Sequence, residues 1–520
     1  MNLGTIIGGA VKRFSGRPAL IDDARRYTFA QMGDRIDRLG TALCDLGLDK
    51  GARIASLQRN SIEAIEFDVM AARFGYCRTL LNARSTAEDH EYVLSHSGAT
   101  ALVFGAEFIE HLGSIRDRLR GVSTFICVGE GAPAWALSYN DLLCNASAAH
   151  PPWSVDEGDL HSIYYTSGST GQPKGVMLSQ HNWLVHVRNH LLDPYSHASE
   201  TDVLLHAAPL SHASGCLVLP HLVRGAAQRV IEKFDVEKTF DLIENERVTT
   251  MFLAPTMINM MLEADKAGRR DMTSLHTVIY GGAPMAVERI RETYQHWGAV
   301  LMQGYGQWEA PQQSTLLTRA DHVEAVQNPD RVHRLASCGR PLTFVEVAIM
   351  DDAGELLPPD TEGEIVVAGD HLMLGYLDNP EATAKVRVGR WLRTGDIGKV
   401  DDAGFVYITD RKHDVIITGG SNVYPREIEE VLYTHPDIGE AVAIGIPDDV
   451  WGETVHVVAS ARSGRSVDED EFLAWCKDRF SNDKRPRSIS VVDVLPKSAY
   501  GKILRRDIRA PYWAGKDRRI

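Results

Sequence analysis

Short apolar runs of β-strand type alternate with amphipathic helical segments along most of this sequence, and this alternation constrains the fold most. A capping pattern of Thr28 and Gln31 precedes apolar residues at helical spacing. Strand-like runs at 53–57, 100–104 and 123–129 enclose further helical segments. Strands that alternate with helices are typical of α/β proteins with parallel sheets. The sequence therefore predicts an α/β fold.

The chain has 520 residues, more than one hydrophobic core usually serves. The pattern of strand-like and helical segments changes at two points, which suggest domain boundaries. From about Pro341, short strands joined by turns predict a small β-rich subdomain. After residue 410, two helical segments and two strand-like runs predict a C-terminal α+β domain, with Ser466 and Glu469 as the capping box of its second helix. We therefore expect a large N-terminal domain over residues 1–410 and a C-terminal domain over residues 411–520.

Composition narrows the class of protein. Apolar residues make up 44% and charged residues 24%, and no segment has the apolar length that spans a bilayer. The first residues lack the leading positive charge of a secretory signal, so we expect a cytoplasmic protein. The seven cysteines are scattered singly, which favours neither a zinc site nor a disulfide framework.

The charge is unevenly distributed. With 55 basic and 70 acidic residues the formal net charge is -15, which argues against a general nucleic-acid binder. From Lys484 to the last residue, however, eleven basic residues stand against three acidic ones. This basic segment is either a solvated surface or a site that attracts a polyanionic small molecule.

One stretch, YYTSGSTGQPKGV at residues 164–176, combines glycines, hydroxyl side chains and Lys174. Glycines let backbone N–H groups close around an anion, hydroxyls add donors, and the lysine supplies positive charge. The pattern is not that of the Walker loop, because the lysine follows Gln-Pro and not glycine. It predicts a phosphate-binding loop between a strand and a helix, with a plain flexible loop as the alternative.

Six ordered motifs extend this signal over almost the whole chain. They are YTSGSTGQPKGV (165–176), GGAP (281–284), GYGQWE (304–309), RTGD (393–396), DRKHDVIITGGSNVYPREIEE (410–430) and PKSAYGKILRR (496–506). In this order they resemble the adenylate-forming superfamily of acyl-CoA synthetases, luciferases and peptide-synthetase adenylation domains. The resemblance implies ATP-dependent activation of a carboxylate to an acyl-adenylate, with loss of pyrophosphate, and then capture by a thiol.

The resemblance also implies roles for residues around the reacting phosphate. Lys502 matches the catalytic lysine that bridges the carboxylate and the α-phosphate, and Glu309 matches the ligand of Mg²⁺. Cations and N–H donors are needed there because negative charge accumulates at the α-phosphate. The residues that would hold the outgoing phosphates are Thr166, Ser167, Gly168, Ser169, Thr170, Gly171 and Lys174.

The remaining nucleotide contacts follow from the same resemblance. Asp396 matches the carboxylate that accepts the ribose hydroxyls, and Arg411 the guanidinium that reaches the same ribose. The residues that would flank the adenine are Gly282, Ala283, Pro284, Gly304, Tyr305 and Gly306.

For the thiol step the family rotates its small domain about a hinge, where this chain has His413 in place of the usual aspartate or lysine. Histidine titrates near neutral pH, so the hinge either senses pH or is simply a polar swivel. Gly419 and Gly420 would then approach the active site and leave a tunnel for pantetheine. The basic segment would meet the phosphates of coenzyme A.

The acid is the least determined substrate. The positions that match the acyl pocket are His212, Ala213, Ser214, Val218, Tyr280, Gly281 and Trp308. Trp308 departs from the family, which usually has a threonine whose hydroxyl approaches the α-phosphate, so either the acid pocket is reshaped or adenylation is slowed. Small apolar walls favour a hydrophobic acid that is fatty, alicyclic or aromatic. His206 and His212 lack a third ligand and are not expected to bind metal.

An AMP-forming acyl-CoA synthetase is therefore predicted, with ATP, Mg²⁺ and coenzyme A as cofactors and a small carboxylic acid as partner. Nucleic acid is not an expected partner, and a homodimer is left open. The alternatives are a luciferase-type oxygenase, an enzyme that loads a carrier protein, although no carrier domain follows the last residue, and a non-catalytic nucleotide-binding relative. Retention of both Lys502 and Glu309 argues against the last of these.

Overall fold

The structure is a computed structural model that describes residues 2–150, 152–166, 172–193, 198–412, 414–419, 421–448, 450–462, 464–477, 479–482, 484–497 and 503–514. The chain divides into two compact units. The first comprises residues 1–347, 367–392 and 404–406, and the second comprises residues 348–366, 393–403 and 407–520. No helix within the described ranges is long and apolar enough to cross a membrane.

The strands are numbered in chain order through both units, and most of them lie in the first. Up to residue 341 they are β1 (Pro18–Ile21), β2 (Arg26–Thr28), β3 (Arg53–Leu57), β4 (Cys77–Leu80), β5 (Ala101–Gly105), β6 (Thr124–Val128), β7 (Leu137–Ser138), β8 (Leu160–Thr166), β9 (Lys174–Ser179), β10 (Val203–His206), β11 (Ala227–Val230), β12 (Thr250–Leu253), β13 (Thr277–Gly281), β14 (Leu301–Gln307), β15 (Ala310–Leu317) and β16 (Arg340–Pro341). The later strands are β17 (Glu346–Met350), β18 (Gly363–Ala368), β19 (Gly375–Tyr376), β20 (Arg387–Val388), β21 (Trp391–Val400), β22 (Val406–Arg411), β23 (Ile416–Thr418), β24 (Ser421–Val423), β25 (Ile438–Asp448), β26 (Gly452–Ala461) and β27 (Ser488–Val491).

The helices alternate with these strands. They are α1 (Leu3–Arg13), α2 (Phe29–Asp45), α3 (Ile62–Phe74), α4 (Ala87–Ser97), α5 (Ile109–Ile115), α6 (Tyr139–Asn145), α7 (Gln180–Leu192), α8 (Ala213–Cys216), α9 (Val218–Leu222), α10 (Val236–Glu246), α11 (Pro255–Ala264), α12 (Val287–Trp297), α13 (Arg319–Gln327), α14 (Pro380–Val386), α15 (Pro425–Leu432), α16 (Glu469–Lys477) and α17 (Arg505–Arg509). Short 3-10 turns cover Ala106–Phe108, Arg116–Arg118, Pro329–Ala336 and Ala510–Trp513.

Two large sheets organise the first unit. Among the described residues, one sheet runs in the order β16-β15-β14-β13-β12-β10-β11-β1-β2 and the other in the order β19-β9-β8-β4-β3-β5-β6-β7. Their central strands are parallel, and parallel neighbours need the crossover connections that the helices supply, while β8 and β9 form an antiparallel hairpin. The predicted α/β class is confirmed.

A third sheet, most of whose residues lie in the second unit, has the order β17-β18-β21-β20, with β22 beside β21. The fourth sheet, in the order β24-β23-β26-β25 with β27 beside β26, carries a separate core in the second unit. Ile416, Ile428 and Phe472 are completely buried in that core. Burial of such side chains contributes roughly 1.5–3 kcal/mol each.

Of the two capping boxes that the sequence predicts, one forms and one does not. The capping box of Thr28 and Gln31 forms as predicted, and α2 begins at Phe29. The predicted box of Ser466 and Glu469 is wrong, because α16 begins at Glu469 and the carboxylate of Asp468 accepts a hydrogen bond from the N–H of Glu471. Asp468 thus caps the free N–H groups at the start of the helix, two residues after the predicted position.

The strand–loop–helix prediction around residues 164–176 missed one strand. β9 intervenes between the loop and α7, which begins at Gln180 and is capped by Ser179. The run KGVMLS is short and apolar on one face, so periodicity alone did not separate it from the first turn of the helix. The loop therefore joins two strands of a hairpin and does not lead directly into a helix.

Candidate active site

The hairpin of β8 and β9 places Thr166 opposite Lys174 in the antiparallel register. These two residues flank the glycine-rich loop, whose residues Ser167, Gly168, Ser169, Thr170 and Gly171 lie outside the described residues. Outside the loop, the hydroxyl of Tyr92 in α4 donates to the carbonyl of Pro173 at 3.0 Å. The residues on both sides of the loop are thus held by contacts within the described structure.

Glu309 lies in the turn between β14 and β15 and accepts two side-chain hydrogen bonds on Oε1. The hydroxyl of Tyr376 donates at 2.9 Å and that of Thr166 at 3.4 Å. Its own carbonyl accepts the N–H of Met373 at 2.9 Å. Two motifs that are 143 residues apart in the chain are therefore in contact through one carboxylate.

Tyr376 was not predicted from the sequence. It stands in β19, beside β9, and the Nζ of Lys174 lies 5.2 Å from the centre of its ring. Burial and the Glu309 carboxylate raise the pKa of Tyr376 above its usual range, so the phenol keeps its proton and acts as a donor. In the sequence, Tyr376 stands in the run GYLDNP, which forms only a two-residue strand and contains no pattern that predicts this role.

The backbone at the predicted adenine site is closely packed. Gly281 and Gly304 are partners in the parallel pair of β13 and β14, and a Cβ on Gly281 would lie 2.4 Å from the Gly304 carbonyl oxygen. Gly282 has a φ of +76°, which a side chain would strain. Ala283 and Pro284 follow in the turn, while Tyr305 and Gly306 continue β14. The two predicted motifs thus lie side by side.

Asp396 and Arg411, the predicted ribose residues, form an ion pair within the second unit. The Nε of Arg411 lies 2.7 Å from Oδ1 of Asp396. Asp396 is 3% exposed and lies on β21, whereas Arg411 is exposed at the end of β22. Gly395, with a φ of +74°, turns the chain so that its N–H donates to Glu364.

The predicted acid-pocket residues fall into an aromatic group and a buried group. The indole of Trp308 stacks on the ring of Tyr164 with centroids 3.5 Å apart and planes at 9°, and the imidazole of His212 meets it edge-on at 5.9 Å. Burial lowers the pKa of His212 to about 4, so this side chain is neutral near pH 7. Ala213 is the first residue of the short helix α8, and Val218 is buried at the start of α9.

Two of the predicted pocket side chains are committed to internal hydrogen bonds. The hydroxyl of Ser214 is bonded to Nδ1 of His206 at 2.8 Å, and both residues are completely buried. The hydroxyl of Tyr280 lies 3.0 Å from Nε2 of His322, and both residues are buried. These side chains stiffen the region, and whether they contact an acid stays a prediction.

Several predicted residues lie outside the described residues, namely His413, Gly420 and Lys502. Gly419 is described: it has a φ of +56°, its N–H donates to the carbonyl of Trp451 at 2.8 Å, and a Cβ there would lie 2.7 Å from the indole. A side chain larger than hydrogen does not fit at this position.

Part of the basic C-terminal segment is neutralised internally. Lys484 pairs with Glu427 at 2.5 Å and Lys497 with Glu440 at 2.6 Å. Arg505 is ion-paired to Asp414 at 2.9 Å and to Glu429 at 2.7 Å. The charge available to an outside polyanion is therefore smaller than the sequence count.

Within the described ranges no group of three or more histidine, cysteine or acidic side chains is arranged to hold a metal ion. The residues around Glu309 instead offer one carboxylate and hydroxyl oxygens, a donor set that suits Mg²⁺, which keeps water and phosphate oxygens as its other ligands. A protein cage is not needed for such an ion.

Comparison with known families identifies the domains. Residues 9–377 match the AMP-binding enzyme family, and residues 427–502 match the AMP-binding enzyme C-terminal domain. The chain belongs to this family. The resemblance seen in the six motifs is thereby confirmed.

Relatives and solved structures agree over almost the full length. The chain is 33% identical to the medium/long-chain fatty acid–CoA ligase FadD8 of Mycobacterium tuberculosis, over 99% of this chain and 91% of the relative, and 34% identical to a feruloyl-CoA synthase of an Amycolatopsis species, over 93% of each. ATP-bound MatB from Rhodopseudomonas palustris superposes with a TM-score of 0.87 at 28% identity, covering 98% of this chain and 99% of MatB. This protein is an AMP-forming acid–CoA ligase that uses ATP and coenzyme A, with the Mg²⁺ that is typical of the family.

Proposed function

We propose that this ligase activates a hydrophobic carboxylic acid, whether fatty, alicyclic or aromatic. A carboxylate oxygen attacks the α-phosphate of ATP, the bond to the β-phosphate breaks, and pyrophosphate leaves; the thiol of coenzyme A then displaces AMP from the acyl-adenylate. The observation that carries the hydrophobic assignment is the uncharged wall of Trp308 and neutral His212. One relative named as a fatty acid–CoA ligase and another named as a feruloyl-CoA synthase support the same range.

For the phosphates we propose the loop 167–171 together with Thr166 and Lys174, and for Mg²⁺ we propose Glu309. The contact of Thr166 with Glu309 supports this assignment, because it joins the phosphate motif to the carboxylate within the first unit. Mg²⁺ would neutralise charge that develops on the phosphate oxygens. Tyr376, by donating to Glu309, would keep one carboxylate lone pair occupied and the other oxygen turned outward.

For the nucleoside we propose Gly282, Ala283, Pro284, Gly304, Tyr305 and Gly306 at the adenine, and Asp396 with Arg411 at the ribose. The Arg411–Asp396 ion pair supports the second assignment, because it holds the two proposed ribose-binding side chains next to each other. The close pairing of Gly281 with Gly304 supports the first, because it holds the two motifs side by side.

The proposals about domain movement and the catalytic lysine rest on the family resemblance. We propose a division into domains 1–410 and 411–520, a hinge at His413, and Lys502 as the catalytic lysine. Gly419 and Gly420 would line the pantetheine tunnel, and the absence of room for a side chain at Gly419 supports a role that requires glycine.

The test is acid-dependent pyrophosphate release over a panel of straight-chain, alicyclic and aromatic acids, with and without coenzyme A, together with mass detection of the thioester. We expect hydrophobic acids to give both products. Activity confined to small charged acids would refute the hydrophobic assignment, and adenylation with transfer only to a carrier protein would refute the coenzyme A acceptor. A homodimer and a cytoplasmic location stay predictions, which light scattering and cell fractionation would test.

A further inference from the structure

We infer that Tyr164, held by Arg78, is a positioning residue that fixes the Trp308 indole and so determines which acids this ligase accepts. The inference rests on the proposed function, in which Trp308 is a wall of the acid site. Neither Tyr164 nor Arg78 belongs to the residues that the motifs point to as substrate contacts.

The first step is the contact between the two rings. Tyr164 and Trp308 stack face to face, with centroids 3.5 Å apart and planes at 9°, while His212 meets the indole edge-on. Tyr164 is 5% exposed in β8, so its own position is set by the core and not by solvent. One face of the indole is therefore fully supported by a ring that is itself buried.

The second step is the anchoring of Tyr164. The Nη1 of Arg78 donates to the tyrosine oxygen at 2.6 Å, and the guanidinium lies 5.4 Å from the ring centre. Arg78 is 1% exposed, its Nε lies 2.5 Å from Oδ1 of Asp68, and it covers the ring of Trp183 at 4.8 Å. A buried ion pair of this kind is not broken easily, because separation leaves an uncompensated charge.

The third step explains why the rings stack in parallel, an arrangement that aromatic pairs normally avoid in favour of offset or edge-on contacts. A cation hydrogen-bonded to the phenol oxygen draws electron density out of the Tyr164 ring. The electron-rich indole then meets a less negative face, so repulsion between the two rings falls. Arg78 therefore acts on Trp308 through Tyr164 as well as through packing.

The fourth step is the consequence for substrates. With Tyr164 fixed, the indole cannot retreat, and the acid site keeps a rigid flat wall on that side. Without the tyrosine ring the indole gains space behind it, so wide acids should gain relative to slim straight-chain acids. Selection by pocket width typically amounts to about 10- to 200-fold for each methylene of misfit.

The experiment compares Tyr164→Leu, which removes the stacked ring, with Tyr164→Phe, which removes only the oxygen that binds Arg78. For each variant kcat and KM are measured separately over the acid panel by pyrophosphate release, with KM for ATP in parallel. The matched controls are Tyr139→Leu and Tyr139→Phe. Tyr139 is also buried and donates to Glu66 at 2.9 Å, beside the Arg35–Glu66 ion pair, away from the motifs.

We expect Tyr164→Leu to raise the ratio of kcat/KM for wide acids over straight-chain acids by about tenfold, the equivalent of 1.4 kcal/mol, mainly through KM for the acid. Tyr164→Phe should change the ratio in the same direction by at least about threefold, and it decides the matter if the leucine variant does not fold. The Tyr139 variants should lower Tm without altering the ratio.

An unchanged ratio, with all acids losing activity together, would overturn the inference and leave Tyr164 a structural residue. A change in KM for ATP alone would overturn it as well. If the unsubstituted enzyme forms no thioester from any acid, the proposed function fails, and that outcome is read from the wild type before any variant is compared.

Discussion

The hydroxyl of Tyr376 donates a hydrogen bond of 2.9 Å to Oε1 of Glu309, and the Nζ of Lys174 lies 5.2 Å from the centre of the same tyrosine ring. One residue thus contacts both the carboxylate proposed to hold Mg²⁺ and the lysine proposed to hold phosphate. Groups that orient a metal ligand typically contribute about 10- to 100-fold to metal affinity.

Replacing Tyr376 by phenylalanine should therefore weaken the response to Mg²⁺ by about tenfold. The ring and its contact with Lys174 remain, while the hydrogen bond to Glu309 is lost. The measurement is acid-dependent pyrophosphate release as a function of Mg²⁺ concentration. Tyr407→Phe is the control, because Tyr407 donates to Asp401 at 3.2 Å within the second unit. An equal weakening in both variants would contradict the role of Tyr376.

Glu309→Gln should have the larger effect, because it keeps the shape of the side chain and removes its negative charge. We expect acid-dependent pyrophosphate release to fall by about 100-fold or more, a loss of the size seen when one preorganised electrostatic group is removed from an active site. Thermal unfolding should change little, since the amide oxygen can still accept from Tyr376. Full activity at saturating Mg²⁺ would show that another group holds the ion.

The sequence named candidate residues of this site but did not predict which of them contact each other. Lys174, Glu309, Asp396 and Arg411 could be named because they stand in ordered motifs, and the structure brings Thr166 to Glu309 and Arg411 to Asp396. Tyr376 could not be named, because it reaches Glu309 through the pairing of β19 with β9, a tertiary contact that leaves no local pattern.

The acid site illustrates the same limit. Trp308 stood out as a departure from its family, but it lies in the turn after β14, whereas the ring on which it stacks lies in β8 and Arg78 lies in β4. Arg78 reads in the sequence as an ordinary charged residue of a short apolar run. Its burial against Asp68 depends on the packing of α3 over the sheet, which periodicity does not reveal.

Lys502→Ala should separate the two half-reactions. If Lys502 acts at the α-phosphate only during adenylation, the variant should lose most acid-dependent pyrophosphate release and still form thioester from supplied acyl-adenylate and coenzyme A. The two reactions are assayed in the same preparation, so that folding affects both alike. Equal loss of both activities would contradict the assignment of Lys502 to the first half-reaction alone.

Buried histidines should make the protein sensitive to acid. Burial lowers the pKa of seven imidazoles to about 4: His186, His206, His212, His221, His322, His371 and His456. An unfolded histidine takes up its proton below about pH 6.5, so the unfolded state binds more protons and stability falls as pH falls from about 6.5 to about 4. Each such histidine contributes a slope of up to about 1.4 kcal/mol per pH unit.

His322→Gln should remove one of these contributions. The imidazole lies 2.8 Å from the carbonyl oxygen of Thr318 and 3.0 Å from the hydroxyl of Tyr280. A glutamine can still donate to the first and accept from the second. We expect the drop in Tm between pH 7 and pH 5 to be smaller than in the wild type. His150→Gln is the control, because that side chain is 79% exposed. An identical drop in all three proteins would contradict the prediction.

Trp308→Thr tests the residue that departs most from its family. A threonine hydroxyl could add a hydrogen bond to the α-phosphate, worth about 0.5–1.5 kcal/mol net. The indole, however, is stacked on Tyr164 and contacts His212, and truncation of a packed aromatic residue to alanine costs about 3–5 kcal/mol, of which threonine recovers little. Packing should therefore dominate, so we expect a higher KM for the native acid and a relative gain for bulkier acids. Steady-state constants for ATP and for a graded acid series decide the matter: an unchanged acid ranking with faster turnover would show that Trp308 acts on the nucleotide alone.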